Sequence, residues 1–315
     1  MSDLGNTARR ATEAPRAVAS QGVGNFVGAV LLRFRAADGT THVRALGYQM
    51  MFVAISGFIG LVGLASALDI EQLRGVATEL GRSLAPGPSG QILQQTIRQG
   101  SSQGWTAAIV GLFASAVAGT LAMAQLERSA NRIAGSNDDR PGVRRYVRAA
   151  ILALTVGVLL VLGTLIAVGG SALAEGFGWR GTTEQVWVVA RWPFGAAVIL
   201  VATYLLFQHA PRERLGEHRT LMWGAVVSLA LWAVFSAGLA VYFSMRADSG
   251  QNPYGPLLAV IALLLWSMLS SLAFHLGLAT MCELAGKKRP VDGDVVRLPD
   301  ATQEREAPAA IPSPP

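Results

Sequence analysis

The sequence predicts an all-α, polytopic membrane protein with six transmembrane helices, and three observations carry that prediction. Six apolar stretches recur, at Val43–Leu68, Trp105–Leu126, Tyr146–Ala172, Val186–Phe207, Leu221–Phe243 and Leu257–Met281. Each meets the length of about 20 apolar residues that a helix needs to cross a hydrocarbon core about 30 Å thick. The composition agrees: 51% of residues are hydrophobic and 15% charged, mean hydropathy is +0.40, and soluble domains carry about 25% charge. The third observation is that basic residues concentrate in alternate connections.

Residues 1–42 are polar and rich in Gly and Ala. They lack the short apolar core and small-residue cleavage site of a signal peptide, so the first span is expected to act as an uncleaved anchor. Within this leader Phe26, Val27, Val30, Leu31 and Phe34 recur at helical spacing beside Arg33 and Arg35. That pattern predicts an amphipathic N-terminal helix lying along the cytoplasmic interface. Residues 43–285 form the expected six-helix transmembrane domain. Gly57, Gly60 and Gly63 in its first span, and Gly111, Ala114, Ala118 and Ala122 in the second, offer small-residue surfaces on which helices pack closely in lipid. The connection Asp69–Gly104 carries Ile70, Leu73, Val76, Ala77 and Leu80, then Pro86–Gly87–Pro88, then Ile92, Leu93 and Ile97. Two short extracytoplasmic helices broken by the prolines are predicted there. Trp179, Trp187, Trp192, Trp223 and Tyr242 stand near span ends, where amphipathic rings favour the head-group level. Residues 286–315, rich in Pro, Ala and charge, are expected to be a disordered tail.

Of the 26 Lys and Arg residues, 20 lie in the leader, the second and fourth connections and the tail. Only Arg74, Arg82, Arg98, Arg180, Arg191 and Arg246 lie on the other side. The positive-inside rule then places both termini in the cytoplasm, as an even number of spans requires. Net charge of +6 and a pI near 10.1 therefore report topology and membrane lipids as partners. No nucleic-acid partner is expected, because aromatic residues do not alternate with the bases. Cys282 is the lone cysteine, so an intrachain disulfide and a cysteine-based metal cluster are excluded.

Polar residues within the spans are few. Ser267, Ser271 and His275 are spaced by four and share one face of the sixth helix, broadened by Ser270. Gln49 in the first span and Ser228 and Ser236 in the fifth are candidates for the same interior, since polar groups avoid lipid. The set serves either as a polar pathway, in which imidazole relays a proton or binds a polar substrate, or as hydrogen-bonded bridges between helices. The chain carries no Gly-Lys-Ser/Thr phosphate loop and no His-Glu-x-x-His. Its other histidines, His42, His209 and His218, are scattered, and no Asp or Glu is expected near midplane; Glu283 stands at the membrane exit. Neither an enzyme nor a cofactor nor a metal site is expected.

Several runs resemble the YihY/BrkB family of bacterial inner-membrane proteins, once mislabelled ribonuclease BN, over roughly residues 28–285. They are Arg44-Ala45-Leu46-Gly47-Tyr48-Gln49-Met50-Met51-Phe52 in the first span, and Arg191-Trp192-Pro193 followed by Tyr204 and Pro211 in the fourth. Arg219, Trp223-Gly224-Ala225, Trp232, Phe235 and Tyr242 carry it through the fifth. Tyr254-Gly255, Ala259 to Trp266 and Gly277 carry it through the sixth. Two departures stand out: Val53-Ala54-Ile55-Ser56-Gly57 stands where many members carry Ser and Pro, so no proline kink is expected there, and Gly277-Leu278-Ala279 replaces Gly-Ala-Glu. The resemblance implies six transmembrane helices in the bacterial inner membrane and an envelope role with transport-like activity suspected. Two function classes follow: transport or permeation of an unidentified small molecule or lipid, and a structural envelope-integrity or interaction protein without transport. A homo-oligomer fits either.

Overall fold

The computed structural model describes residues 22–69, 104–136, 142–176, 179–212, 216–247 and 255–287. They form α1 (Val23–Ala36), α2 (Gly39–Ala67), α3 (Gly104–Ile133), α4 (Gly142–Leu152), α5 (Val158–Gly176), α6 (Thr182–His209), α7 (His218–Ala247) and α8 (Gly255–Leu284). A single π-helical turn, Ala153–Gly157, joins α4 to α5. The fold is all-α. Six helices are long and apolar enough to span a membrane: α2, α3, the stretch Gly142–Thr164 through the π turn, α6, α7 and α8. The two extracytoplasmic helices expected between residues 69 and 104, and the tail, lie outside the described residues.

The observed helices run past the apolar windows by up to seven residues. α3 continues from Leu126 to Ile133, because helix formation needs only satisfied backbone groups, whereas the apolar window ends at the first charge. α6 contains Pro193, a residue that membrane helices tolerate because neighbouring groups satisfy the freed carbonyl. Arg191, counted among the outer-side charges, lies inside α6.

Three antiparallel helix pairs build the bundle, each closed by small residues. A Cβ at Gly60 would lie 2.8 Å from the backbone nitrogen of Leu112, and Gly63 and Gly111 abut the backbones of Ala108 and Gly60. Gly57 is looser, with Ser115 Oγ 3.2 Å from its ideal Cβ. Between α5 and α6, a Cβ at Gly195 would meet Gly163 O at 2.9 Å. Between α7 and α8, one at Gly277 would meet Gly224 O at 2.6 Å. Lipid provides no hydrophobic drive between helices, so this close backbone approach supplies the dispersion contacts that hold each pair. α8 also packs on α2 and on α1.

Two buried clusters fill the interior. One joins Val30 and Ala37 to Ile133, Phe207, Leu221, Leu278, Met281 and Cys282. The other joins Leu46, Ala122, Leu126, Leu152, Val156 and Leu206. The outer surface is apolar, with Phe52, Phe113, Val189 and Val234 exposed, which fits contact with lipid tails. α1 is apolar on both sides. Phe26, Val30 and Phe34 pack toward the bundle while Val23, Val27 and Leu31 face outward. The five residues that read as one amphipathic face therefore divide between two.

Candidate functional site

The polar stripe of α8 is wholly internal: Ser267, Ser270, Ser271 and His275 are each at most 1% exposed. His275 Nδ1 lies 2.7 Å from the carbonyl oxygen of Ser271. A carbonyl only accepts, so Nδ1 carries the proton and donates, and in the neutral ring Nε2 is a bare acceptor. Nε2 has no hydrogen-bond partner in the protein.

His42 of α2 stacks on His275, the ring centroids 6.5 Å apart and the planes 7° from parallel. Gln125 Nε2 of α3 lies 3.0 Å from His42 Nδ1. The amide donates, so Nδ1 of His42 accepts. Three helices thus meet at two imidazoles and one amide. Reading the sequence placed His42 outside the spans among scattered histidines, and Gln125 drew no attention. His42, in the first turn of α2, reaches His275 because the two helices run antiparallel at close range.

Gln49 follows His42 by seven residues on α2, two helical turns farther from α1 and on the same face. The antiparallel register is fixed by the His42–His275 stack and by the close contact between Gly47 and Met268. It brings Gln49 to the level of Ser267. Gln49 Oε1 is buried and accepts no hydrogen bond from the protein, and Ser267 Oγ and Ser270 Oγ are likewise buried and unpartnered. Ser228 and Ser236 belong elsewhere, in the α7–α8 seam. Trp266 Nε1 donates to Ser236 Oγ at 3.2 Å, and Ser228 packs against Gly277. Two residues along a helix turn about 200°, so the seam at Gly277 faces nearly opposite to His275.

Toward α1 the same α8 face, continued in steps of four, reaches Ala279 and Glu283. Arg33 of α1, 0% exposed, closes this end. Its Nε stands 3.2 Å from Glu283 Oε1, Nη1 donates to Ile133 O at 3.0 Å, and Nη2 donates to Lys287 O. Both carbonyl sites are helix ends of one design. Gly135 (φ 82°) and Gly286 (φ 62°) adopt the left-handed conformation, allowing Ser136 N–H to bond Asn131 O and Lys287 N–H to bond Cys282 O. These are Schellman closures, and the guanidinium takes the last carbonyl of α3 together with the carbonyl of the residue that closes α8. Glu127, 1% exposed, is a second buried charge, on α3. It escaped notice because the second apolar window stops one residue short of it. Asn131 Oδ1, in the last turn of α3, accepts from the backbone N–H of Arg212 at 2.9 Å.

Among the described residues no group of three or more His, Cys, Asp or Glu is placed to hold a metal ion.

A family model described as virulence factor BrkB matches residues 30–295. The chain belongs to the YihY/BrkB family. The match takes in α2 through α8 and all but the first turns of α1, so Arg33, the histidine pair and the serine stripe all fall within the BrkB region. No curated protein and no solved structure matches the chain significantly.

Proposed function

We propose that this BrkB-family protein is a permeation or transport protein of the bacterial inner membrane, with both termini cytoplasmic and with its polar path along the α2–α8 interface. The path runs from His42, Gln125 and His275 to Gln49, Ser267 and Ser270. One observation carries the reading: four polar atoms, Gln49 Oε1, Ser267 Oγ, Ser270 Oγ and His275 Nε2, are buried without a protein partner. Burying such a group unpaired costs about 1–3 kcal/mol, and native proteins pair the great majority of them. Several on neighbouring turns favour a face made for water or solute. The excess of basic residues on the side of α1 supports the orientation.

A second reading, a structural envelope protein, has its own support. His42, Gln125 and His275 join three helices, and Arg33 ties α1 to two more ends. Flux from vesicles carrying the purified protein separates the two. A pathway predicts loss of flux in His275→Ala at unchanged protein level. A scaffold predicts no flux above protein-free vesicles, and a loss of protein in the variant.

A further inference from the structure

Five hydroxyls of the spans fold back onto their own helix. Ser56 donates to Phe52 O at 2.6 Å, Thr120 to Ala116 O at 2.8 Å and Thr155 to Ile151 O at 2.7 Å. Thr164 donates to Leu160 O at 2.9 Å and Thr280 to Leu276 O at 2.8 Å. Folding back onto the carbonyl four residues earlier is how a helix satisfies a hydroxyl in an apolar setting. Ser267 and Ser270 have carbonyls available in the same way and leave them, although both are buried and neither has another protein partner. Their hydroxyls remain able to donate and accept at once.

The groups beside them add two unpartnered acceptors, next to the donors of the Gln49 amide nitrogen. Gln49 Oε1 stands at the level of Ser267, and two turns away His275 Nε2 is held as an acceptor by the proton on Nδ1. Fixed charge is missing from this part of the path. Residues 45–68 of the first span, 105–126 of the second and 257–282 of the sixth contain no Asp, Glu, Lys or Arg. Arg33, Glu127 and Glu283 all stand at the α1 end. An ion entering the serine level would lose its hydration with no countercharge, which is strongly unfavourable in low dielectric. A neutral molecule would meet only hydrogen-bonding groups.

From this pattern we infer that the Gln49–Ser267–Ser270 level is a binding site for small neutral solutes with several hydrogen-bond donors, of the polyol or urea type, and that it rejects ions. The inference rests on the permeation reading and specifies its substrate class. The acceptors Gln49 Oε1 and His275 Nε2 take hydroxyl or amide protons, and the serines complete the shell on the solute's own acceptors.

Stopped-flow light scattering of vesicles containing the full-length protein tests it with glycerol and urea as neutral probes and choline chloride and potassium glutamate as ionic ones. Glycerol or urea should enter faster than in protein-free vesicles, and the salts should not. Ser267→Ala combined with Ser270→Ala should slow that entry about tenfold, the equivalent of one net hydrogen bond lost. Thr155→Ala, which removes a folded-back hydroxyl outside the site, should leave it unchanged. Entry of the salts but not of the neutral probes overturns the solute class and leaves permeation standing. Acceleration of water alone, or neutral entry indifferent to the double alanine variant at equal protein level, also overturns the site. No acceleration of any probe removes the permeation reading itself.

Discussion

Replacing Arg33 with methionine, which keeps the unbranched stem of the side chain and removes the guanidinium, should release α1 from the bundle. The wild-type guanidinium makes an ion pair with Glu283 and donates to two carbonyls, that of Ile133 at the end of α3 and that of Lys287 just beyond α8. It is 0% exposed, and the Glu283 side chain is 13% exposed. Removing one partner of a buried pair costs about 3–5 kcal/mol, because the remaining charge stays desolvated without compensation. The cost falls on the docking of α1 and not on the six spans, whose glycine crossings lie elsewhere. It therefore raises the undocked population about 100- to 4,000-fold. The chain carries its own reporter. Cys282 is the lone cysteine, fully buried in the cluster that includes Val30 and Ala37 of α1. Maleimide labelling of Cys282 in native membranes should be slow in wild type and faster by orders of magnitude in Arg33→Met. Equal labelling rates at equal protein levels would refute the clamp.

The glycine crossings should differ sharply in their tolerance of a side chain. Gly111→Val forces carbon into the backbone of Gly60 and should cost at least the 1–3 kcal/mol typical of overpacking, read as loss of folded protein after detergent extraction and heating. Gly238→Ala meets nothing within 4 Å and should leave stability equal or raise it by up to about 1 kcal/mol through helix propensity. Gln125→Leu removes the donor to His42 and should cost about 0.6 kcal/mol, with about 1.7 as the upper range for membrane hydrogen bonds, measured by unfolding in mixed micelles.

The spans were legible because the bilayer imposes one requirement, an apolar length, that composition meets directly. Their ends were less so: Glu127 falls inside α3 although charge ends the apolar window beside it. The internal face of α8 followed from a spacing of four among Ser267, Ser271 and His275. Its partner His42 did not, since one sequence contains no record of the antiparallel register that brings residue 42 to residue 275. Arg33 was read as an interfacial charge beside an apolar stripe. Nothing local distinguishes a guanidinium that reaches toward head groups from one that turns inward to cap two distant helix ends. The crossings at Gly163–Gly195 and Gly224–Gly277 were missed for a related reason, as each pair brings together single glycines from different helices and one sequence does not say which helices meet.

The central claim is that the α2–α8 interior admits polar molecules, and water access at residue 267 tests it most directly. Ser267→Cys in a Cys282→Ala background, in sealed vesicles, is exposed to a small neutral hydrophilic thiol reagent, with Val234→Cys, an exposed position on the apolar surface of α7, as the lipid-facing control. A thiol at residue 267 that reacts far faster than the one at residue 234, and is slowed by glycerol or urea, is the predicted result. Protection at residue 267 as complete as at residue 234 would contradict a polar path and leave the serines as internal features of a scaffold.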